Sequence, residues 1–67
     1  MKIQDTREFQ QMDYIAQKIA LKQRKKITDS VAMLKTVGIE KWETLNKDLP
    51  NRLKNIVKEL AADAGRK

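Results

Sequence analysis

The sequence predicts an all-α protein that folds as one small bundle. Of its 67 residues, 40% are hydrophobic and 36% are charged, a composition too apolar for a disordered chain. The hydrophobic residues recur at spacings of three and four and do not alternate as they would in strands. Glycine and proline occur only at Gly38, Pro50 and Gly65, where helices are expected to end or begin. We therefore expect a single domain, residues 1–67, built as a compact three- or four-helix bundle with helices at about 5–25, 29–37, 40–48 and 50–64.

The first helix is expected to begin at Asp5. The Asp5 carboxylate is suited to accept backbone N–H groups while Glu8, three residues later, reaches back in a variant of the capping box. Five apolar residues then follow at helical spacing, namely Phe9, Met12, Ile15, Ala16 and Ile19. A stripe of this kind is typical of core packing, so we expect these side chains to be buried.

The region after the first helix allows two interpretations. Residues 28–30 are Thr, Asp and Ser, all favourable N-cap residues, which favours a break near residues 25–28 and a second helix from about residue 29. The alternative is one helix that runs on to residue 37, because Ile27, Val31 and Leu34 stay roughly in phase with the first stripe and no glycine or proline enforces a turn. We favour the break.

Gly38 and Pro50 are expected to set the boundaries of the later helices. Gly38 suits a left-handed helix end, and Ile39 is then expected to pack back on Leu34 as in a Schellman motif. A short third helix carries Trp42, which we expect in the core, with a partner interface as the alternative. Pro50 opens the last helix, whose apolar residues are Leu53, Ile56, Val57, Leu60, Ala61 and Ala64, followed by Gly65.

The composition excludes most chemistry. The chain has no cysteine and no histidine, so it lacks the usual zinc ligands and the usual catalytic base. The carboxylate pairs Glu40–Glu43 and Glu59–Asp63 are expected on solvent-exposed faces among lysines. We expect no enzyme, no catalytic residue, no cofactor and no metal. No stretch is long and apolar enough for a signal peptide or a membrane span, so a cytoplasmic location without membrane contact is the default expectation.

A basic segment is the strongest functional clue. Between Tyr14 and Thr28 the chain has five cations and no acidic residue. On a continuous helix, Lys18, Lys22 and Lys25 would share one side with Tyr14, opposite the core face. Such a surface is suited to a phosphate backbone. The candidate nucleic-acid-binding residues are Tyr14, Lys18, Lys22, Arg24, Lys25 and Lys26.

The basic segment predicts a small DNA- or RNA-binding accessory or regulatory protein, with DNA favoured and a homodimer expected because so small a core gains from self-association. Two other interpretations remain. In the first, the basic segment is an ordinary solvated helix end. In the second, the chain is a protein interaction module that regulates a larger partner through an apolar helix face, with Trp42 or Leu21 at the interface.

Residues 34–45, LKTVGIEKWETL, resemble in part a helix-turn-helix motif. However, Leu34 and Thr44 stand where a small and an apolar residue are usual. The same stretch looks like the start of sterile-alpha-motif and helix-hairpin-helix domains, a generic geometry that assigns no family. The sequence therefore predicts affinity for phosphates more than base reading.

Overall fold

The structure is a computed structural model that describes residues 2–64, and within that range every regular element is helical. A 3₁₀ turn at Ile3–Asp5 precedes five α-helices: α1 Arg7–Gln10, α2 Tyr14–Lys22, α3 Arg24–Val37, α4 Ile39–Leu45 and α5 Asn51–Ala64. The helices α3 and α5 form the central pair, with α1 on α5, α4 on α3 and α2 against α3. The predicted all-α fold class is confirmed.

The predicted first helix, residues 5–25, is wrong as a single element. Asp5 does not cap it; its carboxylate accepts the backbone N–H of Lys2 at 3.3 Å. Thr6 caps α1 instead, because its hydroxyl oxygen accepts the N–H of Phe9 at 3.2 Å. Asp13 then caps α2 in the same way through the N–H of Ala16. Two local caps therefore divide a segment whose apolar spacing looks continuous.

The second break is also displaced from its predicted position. It lies at Gln23, whose N–H bonds to the carbonyls of Ile19 and Ala20 at the end of α2. The Gln23 carbonyl then accepts the N–H of Ile27 in α3. The favoured break is therefore present and the alternative of one helix running on to residue 37 is wrong, but the break lies two residues before the predicted range of 25–28. Residues 28–30 lie inside α3, where they cap nothing.

The junction between α3 and α4 requires glycine, although not in the predicted geometry. Gly38 has φ 91° and ψ 159°, whereas the left-handed helical region has ψ near 47°. Its N–H bonds to the carbonyl of Leu34, and α4 begins at the next residue. Ile39 is exposed, so the predicted Schellman packing of Ile39 on Leu34 is wrong.

The core forms where α3, α4 and α5 meet and is extended by the N-terminal segment. Trp42 is fully buried there, as predicted. Within α5, Leu53, Ile56 and Val57 are buried and Leu60 is partly buried, which confirms the predicted face; Gly65 and the side chain of Ala64 lie outside the described residues. The other buried hydrophobic residues are Ile3, Phe9, Ala20 and Ile27.

Part of the predicted core is exposed because the molecule is thin. It measures 32 × 30 × 18 Å, and a helix with its side chains is about 10 Å across. No third layer therefore covers α2, and Ile15 and Ile19 are 71% and 52% exposed. Their predicted burial is wrong, and Met33 and Leu45 are exposed as well. In the part of the chain that the structure describes, no helix has the length and apolar character needed to cross a bilayer.

Candidate nucleic-acid interface

Tyr14 and Lys18 form the α2 half of the predicted basic surface. The Asp13 cap makes Tyr14 the first residue of α2, and Lys18 follows one turn later on the same side. The Lys18 Nζ atom lies 4.9 Å from the centroid of the Tyr14 ring, a cation–π contact. Tyr14 is still 68% exposed, so most of the ring and its hydroxyl face solvent. This pair offers one positive charge and one phenol for binding.

Arg24, Lys25 and Lys26 form the α3 half and occupy the first turn of that helix with their side chains exposed. No acidic residue lies in this turn, and the Gln23 side chain makes no cap hydrogen bond. A helix N-terminus carries a partial positive charge, so each cation there is unfavourable by roughly 0.3–1 kcal/mol at low salt. The chain therefore places three cations where they destabilise their own helix. A bound polyanion would reverse that effect.

An open concavity of about 490 Å³ lies at the α2–α3 junction. Lys22, the last residue of α2, lines it together with Lys25 and Lys26 of α3. One carboxylate, that of Asp29, also borders it. The remaining lining residues are Gln23, Ser30 and Met33. Three lysines thus line one open depression of the surface.

This arrangement regroups the residues that the sequence predicts. The row of Lys18, Lys22 and Lys25 would need one continuous helix, but Gln23 places Lys25 on α3 and leaves the other two on α2. Lys26 joins the concavity, whereas Arg24 does not line it. All six predicted residues are exposed. They form two adjoining groups, Tyr14 with Lys18 and Lys22 with Lys25 and Lys26, and Arg24 lies beside the second group in sequence.

Two carboxylates of the fold, Glu59 and Glu43, have structural partners. The Glu59 carboxylate accepts the N–H groups of Arg7 and Glu8 at 2.9 and 3.0 Å. Glu43 forms a salt bridge with Lys58 at 2.5 Å, and the hydrogen bond and charge of Lys58 lower the pKa of the Glu43 carboxyl. By contrast, none of the five cations of the basic segment forms a salt bridge with a carboxylate within residues 2–64. Their charges are therefore not neutralised by ion pairs among these residues.

Two other predicted candidates acquire structural roles. Trp42 is fully buried and is not a surface contact, and Leu21 is half-buried against the core. One member of each carboxylate pair also has a structural role: Glu59 caps α1, and Glu43 pairs with Lys58. Trp42 therefore offers no surface contact and Leu21 only a partly exposed one, while a protein interaction surface on another apolar helix face stays a prediction.

Sequence reasoning missed Gln23, Ser30 and Met33 as neighbours of the lysines. Ser30 and Met33 lie four and seven residues after Lys26, on the same helix face. The spacing of these residues therefore indicates that they share a helix face with Lys26, but only once α3 is known to begin at Arg24. The local sequence does not predict that Ile15 and Ile19 are exposed, because their spacing is typical of a buried apolar stripe.

Comparison with protein-family models, with curated proteins and with solved structures finds no match for this chain. The case for a function therefore depends on the geometry and charge described above.

Proposed function

We propose that this chain is a small nucleic-acid-binding protein that contacts the phosphate backbone through the basic surface. The basic surface comprises Tyr14, Lys18, Lys22, Arg24, Lys25 and Lys26. One observation carries the proposal: Lys22, Lys25 and Lys26 line one open concavity at the α2–α3 junction, and these three and the exposed Lys18 and Arg24 form no salt bridge among the described residues. Arg24, Lys25 and Lys26 stand at a helix N-terminus, where a bound anion would offset the unfavourable position of their charges.

The chemistry of these side chains supports binding to phosphates and not base reading. Lysine ammonium groups are point charges with flexible stems, which suit contacts to phosphate oxygens at several positions. Arg24 is the one guanidinium in the basic surface, and bidentate contacts to guanine usually come from arginine. The net charge of +6 adds long-range attraction to any polyanion. We therefore expect binding with little dependence on sequence.

Duplex DNA is the proposed ligand rather than single-stranded RNA. Proteins that bind single strands stack successive bases on several aromatic side chains. In this chain Phe9 and Trp42 are buried, which leaves Tyr14 as the one exposed aromatic residue. A surface of cations with a single aromatic ring is better suited to a backbone whose bases are already stacked.

The finer parts of the proposal concern role and assembly. A surface that binds phosphates without reading bases is suited to an accessory or regulatory role. A homodimer would supply a second copy of the surface and would double the number of phosphate contacts. The dimer, the regulatory role and the cytoplasmic location stay predictions.

The proposal is tested by two charge-reversal variants with the same change in net charge. The first carries Lys22→Glu, Lys25→Glu and Lys26→Glu in the concavity. The matched control carries Lys35→Glu, Lys41→Glu and Lys47→Glu, three exposed lysines elsewhere. Both are checked for folding by circular dichroism and then titrated with a labelled random-sequence DNA duplex, and with single-stranded RNA of the same length, by fluorescence anisotropy.

If the proposal is right, the concavity variant loses roughly a hundredfold or more in affinity for the duplex. The control loses far less, because its substitutions act only through net charge. Equal losses in the two folded variants would show that the position of the lysines is irrelevant and would overturn the proposal. Tighter binding to RNA than to the duplex would overturn the preference for DNA.

A further inference from the structure

The exposed side of α2 carries an apolar ridge that the fold does not use. Ile15 and Ile19 are one turn apart on the same side of α2 and are 71% and 52% exposed. Single exposed apolar residues are normal on protein surfaces. Ile15 and Ile19, one turn apart on the same helix, form a continuous apolar patch. Ile19 also lines a neighbouring groove.

The groove lies between α2 and the start of α5 and has a volume of about 170 Å³. Its lining is mainly apolar: Met12, Ala16 and Ala20 on the α2 side, and Pro50 and Leu53 on the α5 side. The small side chains Ala16 and Ala20 keep the groove open beside Ile19. Together the ridge and the groove have the shape that receives large apolar side chains of a second helix, spaced at three and four residues.

Charge at the borders of this surface indicates what kind of helix fits. Lys18 and Lys22 follow Ile15 and Ile19 by three residues each and so stand beside the ridge. Arg52 lines the groove on the α5 side and is exposed. The helix α2 has no acidic residue, and Asp13, which precedes it, accepts the N–H of Ala16 as its N-cap. The surface is thus apolar in the middle and positive at both borders.

We infer that the α2–α5 groove docks an acidic amphipathic helix of a protein partner. Apolar residues of that helix fill the groove and cover Ile15 and Ile19, and its carboxylates face Lys18, Lys22 and Arg52. A second copy of this chain is a poorer occupant, because a symmetric contact through α2 would bring Lys18 and Lys22 of one subunit towards the same lysines of the other. The inference does not depend on nucleic-acid binding.

The test uses a synthetic peptide of about 18 residues, long enough to form a helix. It carries leucine at helical spacing on one face and glutamate on the rest, with a fluorescent label. One comparison peptide replaces glutamate by lysine, and another replaces leucine by alanine. The protein variants are Ile15→Gln with Ile19→Gln and, as a matched control, Ile39→Gln with Leu45→Gln, which also removes two exposed apolar side chains.

The acidic leucine peptide is expected to bind the natural chain, and the two comparison peptides are expected to bind at least about tenfold more weakly. The Ile15/Ile19 variant should lose at least about tenfold in affinity for the peptide while keeping its affinity for duplex DNA. The Ile39/Leu45 variant should bind both ligands as the natural chain does. Lys25→Glu with Lys26→Glu should weaken DNA binding and spare peptide binding, so the two proposals fail separately.

Three outcomes would overturn the inference. The first is no difference between the acidic and the lysine peptide, and the second is equal peptide binding by the two glutamine variants. The third is a dimer by light scattering that the Ile15/Ile19 substitutions convert to a monomer, since the face would then be covered by a second copy.

Discussion

At the scale of single residues, Thr6 shows how a polar side chain holds the N-terminal segment. Its hydroxyl is fully buried, donates to the carbonyl of Ile3 at 2.8 Å and accepts the N–H of Phe9 at 3.2 Å. Both partners belong to residues with buried side chains. One hydroxyl thus ends the 3₁₀ turn, begins α1 and places Phe9 in the core.

Replacement of Thr6 by valine is expected to lower the free energy of unfolding by about 1–3 kcal/mol. Valine has nearly the same shape but leaves the buried N–H of Phe9 without its acceptor, while the Ile3 carbonyl keeps the backbone N–H of residue 6 as its one donor. Serine at this position keeps the hydroxyl and should cost less. Urea unfolding followed by the fluorescence of Trp42, the one tryptophan, measures both variants. A valine variant as stable as the natural chain would contradict the role given to the hydroxyl.

A second prediction at this scale concerns Gly38, because the loss of stability on its substitution is expected to come from the backbone alone. Its φ of 91° and ψ of 159° fall in a region that is essentially restricted to glycine, and an added Cβ would meet nothing within 4 Å. Gly38→Ala should therefore destabilise the chain by about 1–3 kcal/mol. Gly38→Asn should not recover that loss, although asparagine would do so at a left-handed helical position. Recovery by asparagine in the same urea assay would show that the junction has a different geometry.

At the scale of helices, α1 depends on a residue distant in sequence. A helix of four residues is too short to be stable alone. The Glu59 carboxylate from α5 accepts two N–H groups of its first turn, and the Asn55 side chain donates to Glu8 at 2.6 Å. This contact fixes the N-terminal segment on α5.

Glu59→Ala is expected to destabilise the chain by about 1 kcal/mol, the usual cost of a lost N-terminal cap. Glu59→Gln keeps one carbonyl oxygen as an acceptor and should fall between the two. Hydrogen exchange should quicken first at the amides of residues 7–10. Unchanged exchange there in the alanine variant would contradict the tertiary cap.

Substitutions at the N-terminus of α3 are expected to have the opposite effect on stability: they should stabilise the fold while weakening DNA binding. Lys25→Glu and Lys26→Glu replace cations by anions at the positive end of the helix, so each should stabilise the chain by roughly 0.3–1 kcal/mol at low salt. The matched substitution Lys35→Glu lies in the last turn of the same helix and should destabilise it by a similar amount. Thermal unfolding at low salt measures the sign of each change. Destabilisation by glutamate at both ends would contradict the interpretation of these lysines as placed for a ligand.

The helices also show which features the sequence could predict. The helices α4 and α5 are close to their predicted bounds because Gly38 and Pro50 act through backbone geometry, which sequence reveals directly. The division of the first helix was missed because threonine and aspartate are common at many kinds of position. Whether Thr6 and Asp13 cap a helix depends on the path of the chain. Gln23, where α2 ends, belongs to no class of helix-ending residue. The basic residues were identified correctly as exposed, but their grouping depended on that break.

At the scale of the whole molecule, the thin shape explains both proposed surfaces. With an extent of 18 Å in its shortest direction, the bundle buries only one side of α2. The exposed side holds Ile15 and Ile19 together with Lys18 and Lys22. No local pattern predicts this, because burial depends on how many layers the chain forms. A small domain that leaves part of an apolar stripe uncovered has a surface suited to a partner.

The central claim is that the basic surface binds a phosphate backbone, and the salt dependence of duplex binding tests it most directly. If about four phosphates are contacted per subunit, the logarithm of the association constant should fall against the logarithm of salt concentration with a slope of about −4. The Lys22→Glu, Lys25→Glu, Lys26→Glu variant should show a much shallower slope, and the Lys35→Glu, Lys41→Glu, Lys47→Glu control should keep most of the natural value. A flat dependence for the natural chain, or no binding to the duplex at low salt, would contradict the claim.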